Sequence, residues 1–318
     1  MERVKVGVIG VGVLGRHHAR LYRECTDVEL IGVFDVDTAT ASRVAQELGI
    51  QAFDSVNDLV NVARSLSVAV PTNLHFEVVE HLLEQGKHVL VEKPLAATMS
   101  EGRRLVELAA RQNLILQVGH VERYNPVIHY LETWVDNPRF IEAHRLAPYP
   151  PLRPGLPPRG TEVGVVLDLM IHDIDVILHL VPSHVTAVQG VGIPVLSATE
   201  DIANARLTFA DGCVANVTAS RVSIEQMRKI RVFQSDAYLS LDYQERKGEI
   251  VRIRSDGIQR EPVPIEDHNA LQKQLEEFIR CSGQALASGH VPEPPTSGKK
   301  AQQALEIADE ISKQIRSA

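Results

Sequence analysis

The segment VVLDLMIHDIDVIL (165–178) places three aspartates and one histidine in an otherwise apolar run. Buried carboxylates and imidazoles are costly unless they are paired or used in chemistry. At about 100° per residue, Asp168, His172, Asp175 and His179 fall on one narrow stripe of a helix. We expect the first two to face a substrate. The last two lie further along the axis, and we expect them to make structural hydrogen bonds.

Two other interpretations of this stripe stay open. Aspartate and histidine one turn apart could chelate zinc, but no third ligand follows from the spacing, so we expect no metal. A polar seam satisfied within the protein, without chemistry, is the second alternative. In the chemical interpretation His172 takes a proton, because an imidazole titrates near neutral pH, and Asp168 orients the ring or holds a neighbouring hydroxyl. Asp173 lies off the stripe and receives no role.

In the first part of the chain, two loops that carry polar residues directly follow predicted strands. Ligands of open α/β sheets bind outside the carboxyl ends of the strands, so both loops should face a cofactor. A lysine there could donate to an oxygen beside the reacting carbon, or act as the base, and the proline after it fixes the turn, with a cis peptide as one option. An ordinary surface Glu-Lys pair is the alternative. The residues concerned are Pro71, Thr72, Asn73 and His75 in the first loop and Glu92 and Lys93 in the second.

A glycine motif, Gly10-x-Gly12-x-x-Gly15, follows the first predicted strand and opens a helix, and Asp35 ends the second strand. This context is typical of dinucleotide binding: the glycines let the backbone approach a pyrophosphate, and the carboxylate accepts bonds from the ribose. The acid would repel a 2′-phosphate, which favours NAD over NADP. A glycine-rich turn without a nucleotide is the alternative. The candidate cofactor contacts also include the helix start, Val13 and Leu14.

The elements that must position these residues form two domains. Residues 1–120 alternate β-branched runs with helical patterns, which predicts a doubly wound parallel sheet of the Rossmann type. Residues 121–318 carry runs of period-two alternation from 184 to 254, which predicts an α+β domain with an open, mostly antiparallel sheet. The last helix, 299–316, is a candidate to pack back on the first domain. The fold class is therefore α/β.

Composition excludes some classes of function. The 318 residues carry 33 Lys and Arg against 41 Asp and Glu, a formal charge of −8, which disfavours nucleic-acid binding. Three cysteines without CxxC spacing indicate a reducing compartment and no disulfide framework. No apolar run has the length of a membrane span or of a signal peptide core, so we expect a cytoplasmic protein. We interpret His17 and His18 as a partly exposed helix face without function.

Taken together, the glycine motif with its acid, VPTxxH (70–75), EKP (92–94) and the later DxxxH resemble the Gfo/Idh/MocA oxidoreductases over essentially the whole chain. The resemblance implies hydride exchange between NAD and a sugar or polyol carbon. It also implies that Lys93, Asp168 and His172 face that carbon, with the choice of Lys93 or His172 as base left open. Met170 departs from the glycine that many members have between the Asp and the His.

Within that family, GHVERYNP (119–126) and residues 158–175 look most like members that oxidise the C3 hydroxyl of UDP-N-acetylglucosamine to a ketone, some of which serve lipid A or O-antigen synthesis. A UDP-sugar needs cations for its diphosphate, and a proline-rich loop supplies two arginines. A stiff arm that packs on a partner subunit is the alternative role for this loop. The candidate substrate residues, besides Asp168 and His172, are Arg153 and Arg159 to bind the phosphates, Tyr149 to stack on the nucleobase, and Tyr124 and Asn125 to contact the sugar.

Two other functions and one assembly follow from the same residues. A free sugar or polyol, as in an inositol-type dehydrogenase, would not need the two arginines. A non-catalytic NAD-binding sensor is the alternative of another class, against which the presence of Lys93, Asp168 and His172 speaks. The second sheet needs cover on the face that the helix leaves open, and we expect a homodimer or homotetramer through it.

Overall fold

The computed structural model describes residues 3–152, 158, 160–255 and 257–317. The chain divides into two compact units. The first comprises residues 1–121 and 269–302, and the second comprises residues 122–268 and 303–318. Arg153 and Arg159, the predicted phosphate contacts, lie outside the described residues.

The strands are β1 (Val4–Ile9), β2 (Val28–Phe34), β3 (Gln51–Ala52), β4 (Ser65–Val68), β5 (His88–Val91), β6 (Leu116–Val118), β7 (Phe140–Leu146), β8 (Val185–Ile193), β9 (Ile202–Phe209), β10 (Val214–Ser220), β11 (Met227–Phe233), β12 (Ala237–Asp242), β13 (Lys247–Arg254) and β14 (Gly257–Pro262). The α-helices are α1 (Val13–Glu24), α2 (Thr38–Leu48), α3 (Val56–Val62), α4 (His75–Glu84), α5 (Met99–Gln112), α6 (Pro126–Trp134), α7 (Ile171–Leu180), α8 (Ala270–Ser288) and α9 (Gly298–Ser317).

The first unit is built on a parallel sheet of six strands in the order β3-β2-β1-β4-β5-β6. This confirms the predicted doubly wound sheet. The helices begin and end where local chemistry directs: Thr98 and Glu101 form the predicted capping box of α5, and Gly49 ends α2 in the left-handed conformation. The sequence did not predict β3 or α3, which are short.

Helix α8 belongs to the first unit, although its residues were predicted to lie in the second domain. Its apolar side, with Leu275, Phe278 and Ile279, packs in one core with Val4 of β1 and Tyr22 of α1. The apolar side chains of β1 on this face of the sheet are buried only because a helix covers them. Helix α8 supplies that cover from a distant part of the sequence, so the division of the chain is not a single cut near residue 120.

The second unit is built on a sheet of eight strands in the order β14-β13-β12-β11-β7-β10-β9-β8. The neighbours are antiparallel except β7 and β10, which are parallel, and the predicted open, mostly antiparallel sheet is confirmed. Helix α7 packs against β7 and β10 on one face. At the edge strand β8, the Gln314 side chain accepts from the Gly190 amide and donates to the Val188 carbonyl, at 2.9 and 3.0 Å.

The segment with the DxxxH motif is not one regular α-helix. Val166–Met170 forms a π-helical turn, in which the Ile171 amide donates to the Val166 carbonyl, and α7 begins directly after it. The wheel of 100° per residue therefore applies within α7 but not across the turn. Among the described residues, no helix is long and apolar enough to cross a membrane.

Candidate active site

The glycine motif forms a tight loop between β1 and α1, and its three glycines differ in their backbone conformation and in the space around them. Gly10 has a φ of +79°, and a Cβ on Gly15 would lie 1.8 Å from the Gly10 carbonyl oxygen. Gly12, by contrast, has no described heavy atom within 4 Å of where its Cβ would stand. The loop leaves open space beside Gly12 and the exposed start of α1, where free amides and the helix dipole favour an anion.

Asp35 lies beside this loop at the end of β2. Its Oδ2 accepts a hydrogen bond of 2.7 Å from the Val11 amide, and its Oδ1 accepts one of 2.9 Å from the Asp37 amide. The carboxylate is thus fixed next to the space that a dinucleotide would enter. A fixed acid at this point fits a ribose with free hydroxyls and opposes a 2′-phosphate.

A buried polar cluster that was not predicted from the sequence lies in the first unit, around His18 of α1. His18 of α1 is fully buried, so its interpretation as a partly exposed residue is wrong, whereas His17 is exposed. The His18 Nδ1 lies 2.7 Å from the Ser67 hydroxyl, and its Nε2 lies 3.2 Å from the Glu92 carboxylate. Burial would raise the pKa of Glu92, but the bond and charge of His18, with the charge of Lys93, hold it below its ordinary value. The residue next to Lys93 is therefore a buried carboxylate.

The two predicted cofactor loops are joined by His75. Its Nδ1 lies 2.7 Å from the Pro94 carbonyl oxygen and its Nε2 lies 3.0 Å from the Val70 carbonyl oxygen, so both ring nitrogens contact backbone rather than open space. Burial lowers the pKa of His75. The Lys93–Pro94 peptide is cis, and Lys93 is half-buried. The other predicted contacts of the first loop differ in exposure: Pro71 and Asn73 are exposed, and Thr72 is buried.

In the second unit, Asp168 lies on the π-helical turn and His172 on the first turn of α7, and both are half-buried. The backbone of Gly160 lies directly against the Asp168 carboxylate, since a Cβ on this glycine would stand 2.5 Å from Oδ2. Gly160 has a φ of +79°, which is a second reason for glycine here. The Asp168 carboxylate is thus packed against a turn that no other residue could form without moving it.

Of the second pair of the stripe, His179 makes the predicted structural hydrogen bond, whereas Asp175 makes an ion pair beyond hydrogen-bond distance. Asp175 lies 3.7 Å from the Arg123 guanidinium, and His179 lies 2.5 Å from the Glu132 carboxylate. Asp173, which had no assigned role, is fully buried against Arg145 of β7.

The residues predicted to bind the UDP-sugar, Tyr124, Asn125 and Tyr149, belong to the second unit. Asn125 is the N-cap of α6, where its Oδ1 accepts from the Val127 amide and its Nδ2 donates to Glu122. The Tyr124 carbonyl oxygen accepts from His268 at 3.0 Å. Tyr149 is half-buried in an irregular segment after β7. Asn125 therefore has a structural role in addition to any contact with a substrate.

Comparison with known proteins decides the family. The NAD-binding Rossmann domain of the Gfo/Idh/MocA oxidoreductases matches residues 4–120, and the C-terminal domain of the same family matches residues 135–240. The chain belongs to the Gfo/Idh/MocA family. This confirms the resemblance inferred from the motifs, and with it an NAD-dependent oxidoreductase that acts on a CH-OH group. Among the described residues, no group of three or more His, Cys, Asp or Glu could hold a metal ion.

Several family members are similar along much of their length. The chain is 37% identical over 290 residues to UDP-N-acetylglucosamine 3-dehydrogenase of Acidithiobacillus ferrooxidans. The matched region covers 88% of this chain and 89% of that protein. A solved structure of that enzyme, GnnA, has a TM-score of 0.89 with 34% identity and covers 100% of this chain and 99% of its own. The NAD-dependent scyllo-inositol 2-dehydrogenase of Bacillus subtilis is 29% identical over 70% of this chain and 68% of its own.

Proposed function

We propose that this Gfo/Idh/MocA enzyme oxidises the C3 hydroxyl of UDP-N-acetylglucosamine, or of a close UDP-sugar, to the 3-keto sugar. The observation that carries the proposal is the similarity to the A. ferrooxidans enzyme, 37% identity across 88% of this chain. It spans both family domains, including the second one, which in this proposal binds the sugar.

The residues of the first unit fit NAD and would hold it. The open space at Gly12 and the amides of Val13 and Leu14 suit the pyrophosphate, and the fixed Asp35 carboxylate suits the adenosine ribose. When bound there, NAD would supply the acceptor for the hydride that leaves the sugar carbon. The remaining proposed contacts are the loop residues Pro71, Thr72, Asn73, Glu92 and Lys93, with His75 acting by holding the two loops together.

The chain's own chemistry in this proposal is the removal of the hydroxyl proton. As the C3–H bond breaks, the O–H proton passes to a neutral amine at Lys93 or a neutral imidazole at His172, and the oxygen becomes a carbonyl. The member of this pair that is not the base donates to the same oxygen, and Asp168 orients the imidazole or holds a neighbouring hydroxyl. A Lys93→Met and a His172→Asn variant separate the two, because loss of the base removes the acid limb of the pH profile of kcat/KM.

We assign substrate binding to the residues predicted from the sequence. Tyr124 and Asn125 contact the sugar, Tyr149 stacks on the uracil, and Arg153 and Arg159 bind the diphosphate. Replacement of both arginines by Met should raise KM for the UDP-sugar and leave the Kd for NADH unchanged.

The deciding experiment mixes the protein, NAD and UDP-N-acetylglucosamine, with a keto acid present or absent to reoxidise the cofactor, and follows NADH absorbance and keto-sugar formation. We expect product with the UDP-sugar and none with free myo-inositol. Activity with the free polyol alone would favour the inositol-type alternative, and no turnover with intact NADH binding would favour a sensor. The matched control for Lys93→Met is Lys313→Met, at an exposed position on α9, which should keep full activity.

Two further proposals concern the enzyme in the cell. We propose a homodimer or homotetramer through the second sheet, supported by three stacked or tilted aromatic rings, those of Phe140, Phe233 and Tyr238, whose residues are only half-buried. Sedimentation velocity with Phe233→Ser tests the assembly. We place the enzyme in the cytoplasm, where UDP-sugars and NAD are available, in nucleotide-sugar metabolism that feeds lipid A or other lipopolysaccharide synthesis.

A further inference from the structure

One arginine of the second unit is fully buried and bonded on every nitrogen. Arg221 follows β10, and its Nε donates to Asp201 Oδ1 at 2.8 Å. Its Nη1 donates to two backbone carbonyl oxygens, those of Gly160 and Val163, both at 2.9 Å. The guanidinium therefore joins the segment before the DxxxH motif to a separate loop.

That loop, residues 195–201, is itself fixed by Asp201. Its Oδ2 accepts from three successive amides, at Val195, Leu196 and Ser197, at 2.6 to 2.9 Å. Arg221 Nη2 contacts the same loop at the Ser197 and Thr199 hydroxyls, at 3.0 and 2.9 Å. Burial would raise the pKa of Asp201, but these donors and the guanidinium hold it well below its ordinary range. The ion pair is thus a rigid anchor rather than a surface contact.

The anchor reaches Asp168 through backbone. Gly160, whose carbonyl Arg221 holds, lies against the Asp168 carboxylate, 2.5 Å from Oδ2 to the position of an added Cβ. After Val163 along the chain, the Gly164 carbonyl oxygen accepts a hydrogen bond of 3.0 Å from the Asp168 amide. The Val165 amide donates one of 2.9 Å to the Glu200 carbonyl oxygen. Residues 160–165, which precede Asp168, are therefore held at Gly160 and Val163 by Arg221 and at Val165 by the Glu200 carbonyl.

We propose that Arg221 is a positioning residue, which sets the place of the Asp168 carboxylate through the carbonyls of Gly160 and Val163. The inference rests on the proposed function, in which Asp168 faces the substrate. Lysine at position 221 keeps the charge but cannot supply a planar fork of donors to six acceptors. A displacement of about 1 Å at a catalytic group can cost on the order of 100-fold in rate.

The test is a double-mutant cycle of Arg221→Lys with Asp168→Ala, measured with the UDP-sugar and NAD. We expect Arg221→Lys to lower kcat about tenfold or more, with the Kd for NADH unchanged, and to cost less than about twofold further when Asp168 is already absent. Equal losses in both backgrounds would mean that Arg221 acts independently of Asp168, and would overturn the proposal. Arg231→Lys, a half-exposed arginine of the same sheet, is the matched control and should change little.

Two additions keep the test decisive. If Arg221→Lys does not fold, Thr199→Val takes its place in the cycle, because it removes one acceptor of the Arg221 guanidinium and leaves Gly160 and Asp168 unaltered. If the wild-type protein has no activity with UDP-sugars, the proposed function fails, and crystal structures of wild type and the Arg221→Lys or Thr199→Val variant still decide the positioning role. A shift of the Asp168 carboxylate of about 1 Å supports it, and an unmoved carboxylate overturns it.

Discussion

The Arg145 guanidinium and the Asp173 carboxylate form two parallel hydrogen bonds, of 2.8 and 3.1 Å, with both side chains buried. A third bond, of 2.9 Å, joins Arg145 to Glu122. Burial raises the pKa of Asp173, although Arg145 opposes the shift, and the nearby carboxylates raise that of Arg145 despite its burial. The pair connects α7, which carries His172, to β7 beneath it.

Loss of this pair should be among the most damaging single changes in the second unit. Asp173→Asn leaves the buried guanidinium with one carboxylate, and we expect the free energy of unfolding to fall by about 3–5 kcal/mol. Urea denaturation followed by circular dichroism measures it. Glu142→Gln breaks a half-exposed ion pair with Arg231 in the same sheet and should cost less than about 1 kcal/mol. Similar losses in the two variants would contradict the buried pair's importance.

Substitution of the second and third glycines of the motif, Gly12 and Gly15, should have different effects. Gly12→Ala meets no described protein atom, so we expect the melting temperature to hold while the Kd for NADH rises about tenfold or more, because the methyl group enters the space of the pyrophosphate. Gly15→Ala collides with the Gly10 carbonyl and should lower the melting temperature as well. NADH fluorescence titration and calorimetry on both variants separate binding from folding. A Gly12→Ala protein with unchanged Kd would remove NAD from this loop.

Acid should destabilise the first unit through His88. Its Nδ1 accepts from the Ile115 amide at 3.0 Å, and burial lowers its pKa from 6.5 to about 4. Between these values the unfolded chain binds a proton that the folded chain does not, so stability is full above pH 6.5 and falls toward pH 4, by at most about 1.4 kcal/mol per pH unit. Urea midpoints across this range should show a smaller slope for His88→Gln than for wild type, whereas His17→Gln, at an exposed position, should keep the wild-type slope.

The edge of the second sheet should depend on one glutamine. Gln314→Ala removes the bonds to Gly190 and Val188, and we expect a loss of about 1–2 kcal/mol together with faster exchange of the Gly190 amide. Hydrogen exchange resolved at single residues tests it. Gln303→Ala, exposed on the same helix, is the control, and equal exchange rates in the two variants would count against an edge role.

The parts of the fold that the sequence predicted are those with local signals. The β-branched runs of the first unit stand in the parallel sheet, and the capping box at Thr98 opens α5. Strand β7 was missed because one of its buried positions is Arg145, so a charge interrupts the apolar alternation that marks a strand. A charge is buried there only because Asp173 and Glu122, from other elements, meet it. No local pattern contains that information.

The candidate site divides in the same way. The glycines, Asp35 and the EKP and DxxxH motifs could be proposed from the sequence because each is a short motif or directly follows a predicted strand. His18 was misjudged because its partners, Ser67 and Glu92, lie far along the chain on other elements. The Arg221 anchor was not noticed for the same reason: its acceptors come from two separate loops, and an arginine after a strand carries no signal of its own.

The π-helical turn at Val166–Met170 changes how the DxxxH motif must be transferred between proteins. Asp168 lies before the change to α-helical winding and His172 after it, so four residues across this junction do not rotate as four residues of a regular helix do. A design that copies the two side chains onto a straight helix would aim them differently. The transferable unit is the whole stretch with its turn, and the sequence spacing alone is not a measure of the angle between its acid and its imidazole.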